Sequence, residues 1–197
     1  MLARDNPFRS ERIEALAFRD PTADVPTLLA RFTQRGHRGV LVGPHGSGKT
    51  TLRETLEGHL ESAGWILRRL VLAEDRRLQP KDLTALCAGL TPRHLLCLDG
   101  LDLIGWWDWW RLRRARAGGI LATSHRPGRL PTLHVHRTSP ALLVELTSEL
   151  SGAGALAPAA AAILFAQHRG DLRACLRELY DTGIPAQGRA TIASSGL

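Results

Sequence analysis

Residues 43–50 read GPHGSGKT, and this string restricts the fold more than any other part of the chain. Gly43, Gly48, Lys49 and Thr50 fill every fixed position of the pattern G-x-x-x-x-G-K-[ST], a loop that works only where a buried strand hands over to a helix. The spacing has a chemical reason. Glycines let the backbone curl until successive N–H groups point inward at phosphate oxygens. Lys49 brings a compact cation to the β and γ phosphates, and the Thr50 hydroxyl is a ligand for Mg²⁺. The helix that follows adds its positive N-terminal end. Pro44, His45, Gly46, Ser47 and Thr51 complete the set expected to line the phosphates. Lysine usage agrees. Of 26 Lys and Arg residues, only those at 49 and 81 are lysine, so a chain that otherwise uses Arg has Lys where the loop requires it.

The surroundings carry the strand and helix that the loop needs. Gly39-Val40-Leu41-Val42 is a short apolar run of the kind found in buried parallel strands. Thr51 to Leu60 places Leu52, Leu56 and Leu60 at helical spacing. Further strands are expected at 65–72, 95–98, 119–123 and 133–136, and helices at 26–33, 81–90 and 104–115. After residue 137 the pattern is helical only. Ser139-Pro140 starts one helix as cap and first turn, and two more follow at 157–168 and 171–180. The expectation is an α/β three-layer sandwich with a mostly parallel five-stranded sheet over residues 1–137. A small helical lid at 138–182 and a frayed tail at 183–197 follow.

A length of 197 residues leaves room for one such domain with a small appendage, and 44% hydrophobic content supplies a core. No apolar run approaches the roughly 20 residues that span a bilayer, so no membrane segment is expected. The opening MLARDNPFRSER has no apolar signal region. Cys87, Cys97 and Cys175 are too few and too scattered for a disulfide framework or a zinc site, and a reducing cytoplasm fits them. The net charge of +7 has two readings: an acidic partner such as nucleic acid, or an Arg-rich composition that reflects a GC-rich genome.

A phosphate loop needs an acid to hold Mg²⁺. Asp99 closes the apolar run Leu95 to Leu98, and a carboxylate at that strand end lies at the sheet edge where ligands bind. The next residue is Gly100, which cannot polarise water. Asp102 then has three readings: it orients water in place of the missing carboxylate, it has no such part in a slow nucleotide-gated switch, or it caps the helix that follows.

In the order Asn6-Pro7-Phe8, GPHGSGKT, LLCLDGLD, ILATSHRPG and HRGDLRACLREL, residues 5–181 resemble the AAA+ ATPases and their NACHT-type relatives. The Asn-Pro-Phe opening is similar to AAA+ proteins of bacterial transposition and secretion systems. The resemblance implies ATP with Mg²⁺, and ADP, as ligands. Many P-loop ATPases place Glu directly after the magnesium Asp, so Gly100 implies weak turnover. It further implies that His125 senses the γ-phosphate at a strand end and that Arg173 senses it from the lid. Arg126 and Arg129 lie near the place of an arginine finger, which requires an oligomer, and the oligomeric state is open.

Trp106, Trp107, Trp109 and Trp110 form the oddest local feature. On a helix Trp106, Trp109 and Trp110 share a face with Arg113. That face is either core, with Arg stacked on indole, or a partner surface, and the partner expected there is a protein rather than single-stranded nucleic acid. His134 and His136 alternate along a strand, without the further ligands that a zinc site needs. The chain therefore reads as a Mg-dependent ATPase that switches a partner, with Lys49, Asp99, Asp102, His125 and Arg173 as its catalytic set. The alternatives are a DNA-associated ATPase module of the transposition type, a small-molecule or nucleotide kinase, and a non-hydrolysing nucleotide-binding scaffold.

Overall fold

The continuous apolar runs become strands because they are covered on both faces. In the computed structural model, residues 24–72, 78–151 and 156–182 are described, together with Phe8. Five parallel strands form one sheet: β1 (Arg38–Val42), β2 (Ile66–Val71), β3 (His94–Asp99), β4 (Gly119–Ser124) and β5 (Thr132–Val135), in the order β2-β3-β4-β1-β5. Alternate residues of the three central strands serve two different cores. Val40, Val42, Leu96, Leu98, Ile120 and Ala122 pack on one face with Leu83 and Leu86 of α3 (Pro80–Cys87) and Trp109 and Leu112 of α4 (Trp106–Arg113). Leu41, Leu95, Cys97 and Leu121 pack on the other with Leu28 and Phe32 of α1 (Val25–Gln34) and Leu52, Leu56 and Leu60 of α2 (Lys49–Ser62). This is the expected α/β three-layer arrangement, and it explains why these strands show no alternation of apolar and polar residues. β2 lies at the sheet edge, and its Ile66 and Val71 are exposed.

Helix ends follow local chemistry. The Asp24 side chain accepts from the Thr27 amide at 2.9 Å and caps α1. The helix expected from Ile104 begins two residues later. Gly100 turns the chain into a 3-10 segment at Leu101–Leu103, and Ile104 is extended before α4 starts.

The chain divides into two compact units between Arg137 and Thr138, with Phe8 belonging to the second. That unit is helical: α5 (Pro140–Ser151), α6 (Pro158–Gln167) and α7 (Leu172–Thr182). Ser139 Oγ accepts the Leu142 amide at 3.2 Å, and Asp171 Oδ1 accepts the Ala174 amide at 3.0 Å, so both caps are side-chain oxygens. Leu143, Leu150, Leu164, Cys175, Leu176 and Leu179 form its core, and Phe8 is buried among them. The tail expected at 183–197 lies outside the described residues. Among the described residues, no helix is long and apolar enough to cross a membrane.

Candidate functional site

β1 delivers the glycine-rich loop to the C-terminal edge of the sheet. Its last residue, Val42, accepts the His136 amide at 2.7 Å, and Gly43 donates to the Ser124 carbonyl at 3.2 Å, so the base of the loop is clamped between β4 and β5. Gly48 takes the left-handed conformation, φ 83°, at the cap of α2. Gly48 has no side chain with which to cap that helix, and its first amides face the loop. Lys49 is 8% exposed, and its Nζ donates to the carbonyls of Gly43 and Pro44 at 2.8 and 2.6 Å. These contacts hold the ammonium over the loop. The Ser47 hydroxyl is buried there with no hydrogen-bond partner among the described residues. A buried hydroxyl donor of that kind is costly unless a ligand oxygen answers it.

The strand order puts an acid beside this loop. β3 is separated from β1 only by β4, and Asp99 at its end faces α2. The Thr50 hydroxyl donates to Asp99 Oδ2 at 3.2 Å. These are two oxygen ligands of the hardness that Mg²⁺ takes, so Thr50 and Asp99 fit a Mg²⁺ site, and when bound the ion neutralises charge on the β and γ phosphates. Thr123 of β4 donates to Asp99 Oδ1 and accepts the Gly100 amide at 3.1 Å. Its place follows from the parallel register, in which Leu98 lies opposite Ala122. Sequence reasoning missed Thr123 because strand adjacency is not written in the sequence.

Behind Asp99 runs a row of charges. Arg53, 3% exposed, lies 3.8 Å from Asp99 Oδ2. Arg53 and Glu57, which is 2% exposed, face each other at 3.3 Å without hydrogen-bond alignment. Glu57 accepts instead from Arg69 Nε on β2 at 2.7 Å, and Arg69 reaches Glu61 at 3.0 Å. The buried Cys97 thiol beside this row is pushed far up by burial and by the Glu57 charge.

Asp102 and His125 come together. His125 Nδ1 is 2.9 Å from Asp102 Oδ2, and the His125 amide donates to Oδ1 at 3.3 Å. A carboxylate only accepts, so Nδ1 carries the proton and Nε2 of the neutral ring keeps its lone pair. Burial works to raise the Asp102 carboxyl, but the hydrogen bond from His125 and the two backbone amides outweigh it and hold the group below its ordinary range. The His125 ring lies against the ring of His45 from the loop, centroids 3.9 Å apart.

His136 has a supporting place. It is buried, and its Nδ1 donates to the Ser47 carbonyl at 3.0 Å, so β5 braces the loop through this ring. Its alternation with His134 gave no hint of this, because the partner is a main-chain oxygen 89 residues away. Arg129 donates to the Leu101 and Ile104 carbonyls at 3.0 and 2.6 Å, and Arg126 is exposed. Arg173 is exposed on the first turn of α7, in the helical unit.

No protein-family model and no curated protein matches the chain. Solved structures do. RuvB of Thermotoga maritima, described as a Holliday junction branch migration motor, is 17% identical, with TM-score 0.53 over 87% of this chain and 60% of that one. Cdc6p from Pyrobaculum aerophilum gives TM-score 0.59 at 14% identity over 89% and 64%, respectively. The fold is that of the AAA+ P-loop ATPases. NtrX from Brucella abortus, solved in complex with ATP, adds TM-score 0.53 at 13% identity over 90% and 53%. The chain thus spans less than two thirds of the length of each of these AAA+ proteins.

Proposed function

We propose that the chain binds Mg-ATP, hydrolyses it slowly and acts as a nucleotide-dependent switch for a partner. One observation carries the reading: the Thr50 hydroxyl and the Asp99 carboxylate meet at 3.2 Å beside the glycine-rich loop. Loop amides, Lys49 and the buried Ser47 hydroxyl hold the phosphates of ATP. Thr123 and Arg53 fix the Asp99 carboxylate. In hydrolysis a water oxygen bonds to the γ-phosphorus as the bond to the β–γ bridging oxygen breaks, and ADP leaves. The proton of that water passes to His125 Nε2, while Asp102 stabilises the imidazolium that results. The pair takes the part of the carboxylate for which Gly100 leaves no side chain. In the same reading Arg173 reports the phosphate state to the helical unit. The switch works only because ATP and ADP bind its two states with different free energies.

Phosphate release at several protein concentrations tests the chemistry. Asp102→Asn leaves one oxygen for two donors and removes the charge that stabilises the imidazolium, and should lower kcat by about a hundredfold with little change in KM, a loss in the usual range for a general base. An unchanged kcat would remove the pair from the reaction. Transfer of phosphate to an added acceptor would make the protein a kinase, and DNA-stimulated turnover with steep salt dependence would favour the transposition-type reading.

A further inference from the structure

Helix α4 carries a surface that the phosphate site does not use. Trp109 and Leu112 face the core, while Trp106, Trp107 and Trp110 are 68, 77 and 48% exposed. A helix advances about 100° per residue. On that wheel the exposed side chains run Arg113, Trp106, Trp110, Arg114, Trp107, Arg111 within an arc of roughly 160°. Indole and guanidinium therefore interleave across one face. The Arg114 guanidinium sits 4.5 Å above the Trp110 ring. Next to it lies a groove of about 490 Å³ whose charged lining is Arg111, Arg114 and Arg116. Asp108, the only acid on the helix, falls on the half-buried side. Among the described residues, none of the four arginines forms an ion pair with a carboxylate.

The mixture selects the occupant. An apolar protein face would have to strip water from several unpaired guanidinium groups with nothing to answer their charge. A single nucleic acid strand offers flat bases to the indoles and phosphates to the arginines in alternation. A duplex keeps its bases stacked inside and offers the indoles no face. We propose that α4, with Arg114 and Arg116, is a platform for single-stranded nucleic acid. This does not rest on the reading of the phosphate loop.

The test is fluorescence anisotropy with labelled oligothymidine, oligouridine and a duplex of the same length, without nucleotide. Either single strand should bind at least about tenfold more tightly than the duplex, and binding should quench tryptophan emission. Trp107→Ala, and Trp106→Ala with it, should weaken binding by about tenfold or more. Their exposure means the melting temperature should hold. Arg111→Gln with Arg114→Gln should flatten the salt dependence by roughly one unit of log–log slope or more. Lys49→Ala should bind the strand as the native chain does, which separates this result from failure of the phosphate site. Equal affinity for duplex, full binding by the Trp106→Ala/Trp107→Ala protein, or polyglutamate bound as tightly as oligothymidine would overturn the proposal; the last would mark an acidic-peptide surface.

Discussion

Gly100 holds φ 87° at the exit of β3, and a Cβ placed there would approach Leu103 Cδ1 to 3.2 Å. Its presence where many P-loop ATPases carry Glu is therefore a backbone requirement of the turn into Leu101–Leu103 and not simply a lost acid. Gly100→Glu should cost about 1–2 kcal/mol, read as a drop of several degrees in Tm, without faster hydrolysis. A faster enzyme of unchanged Tm would show that the turn tolerates the side chain. Asp102 makes a pH prediction. Its carboxyl lies below the ordinary range in the folded chain, so it stabilises the fold above the unfolded-chain value, near pH 4, and that contribution is lost as pH falls through the lower folded value. In acid titrations followed by circular dichroism, Asp102→Asn should lose less stability than the native chain between about pH 5 and 3. Single residues were unevenly legible. Asp99 could be found because a strand ending in Asp has one sensible place relative to a phosphate loop. Thr123 and His136 could not, because what they touch depends on which strands become neighbours.

At the scale of elements, α2 does two tasks. Its first turn faces the loop, and its next two turns bury Arg53 and Glu57 beneath the sheet edge. Glu57 is answered by Arg53 and by Arg69, so its loss leaves Arg53 buried without its nearest carboxylate. Glu57→Ala should lose about 3–5 kcal/mol in denaturant unfolding. Arg69→Ala should cost less, about 1–3 kcal/mol: Arg69 is half exposed, but its loss takes a 2.7 Å hydrogen bond from the buried Glu57 carboxylate. Equal losses in the two variants would mean that the row is not organised around Glu57. Strands β1, β3 and β4 were readable as elements because two-sided burial writes an unbroken apolar run. The start of α4 was not, since Ile104 fits a helical pattern and yet sits in the extended link after the 3-10 segment.

For the whole molecule, the chain's first described residue is packed into its last unit. Phe8 is 2% exposed and packs in one core with Leu143, Leu176 and Leu179. Phe8→Ala should cost about 3–5 kcal/mol and should speed hydrogen exchange in α5 to α7 before the sheet is affected. Uniform exchange across both units would contradict that placement. The pattern changes from alternating strands and helices to helices alone where the two units meet in the chain, whereas the placement of Phe8 in the helical unit, outside the 1–137 core expected for it, had no local signal. The proposed function requires the loop and Asp99 to grip one Mg-triphosphate. Its most direct measurement is a thermal-shift titration of ATP, with and without Mg²⁺, on the native chain, Lys49→Ala and Asp99→Asn. ATP at about a hundred times its Kd should add roughly 2.7 kcal/mol to the native chain. Lys49→Ala should lose most of that gain, and Asp99→Asn should lose the part that depends on Mg²⁺. Equal stabilisation of all three proteins, or none of the native chain, would contradict it.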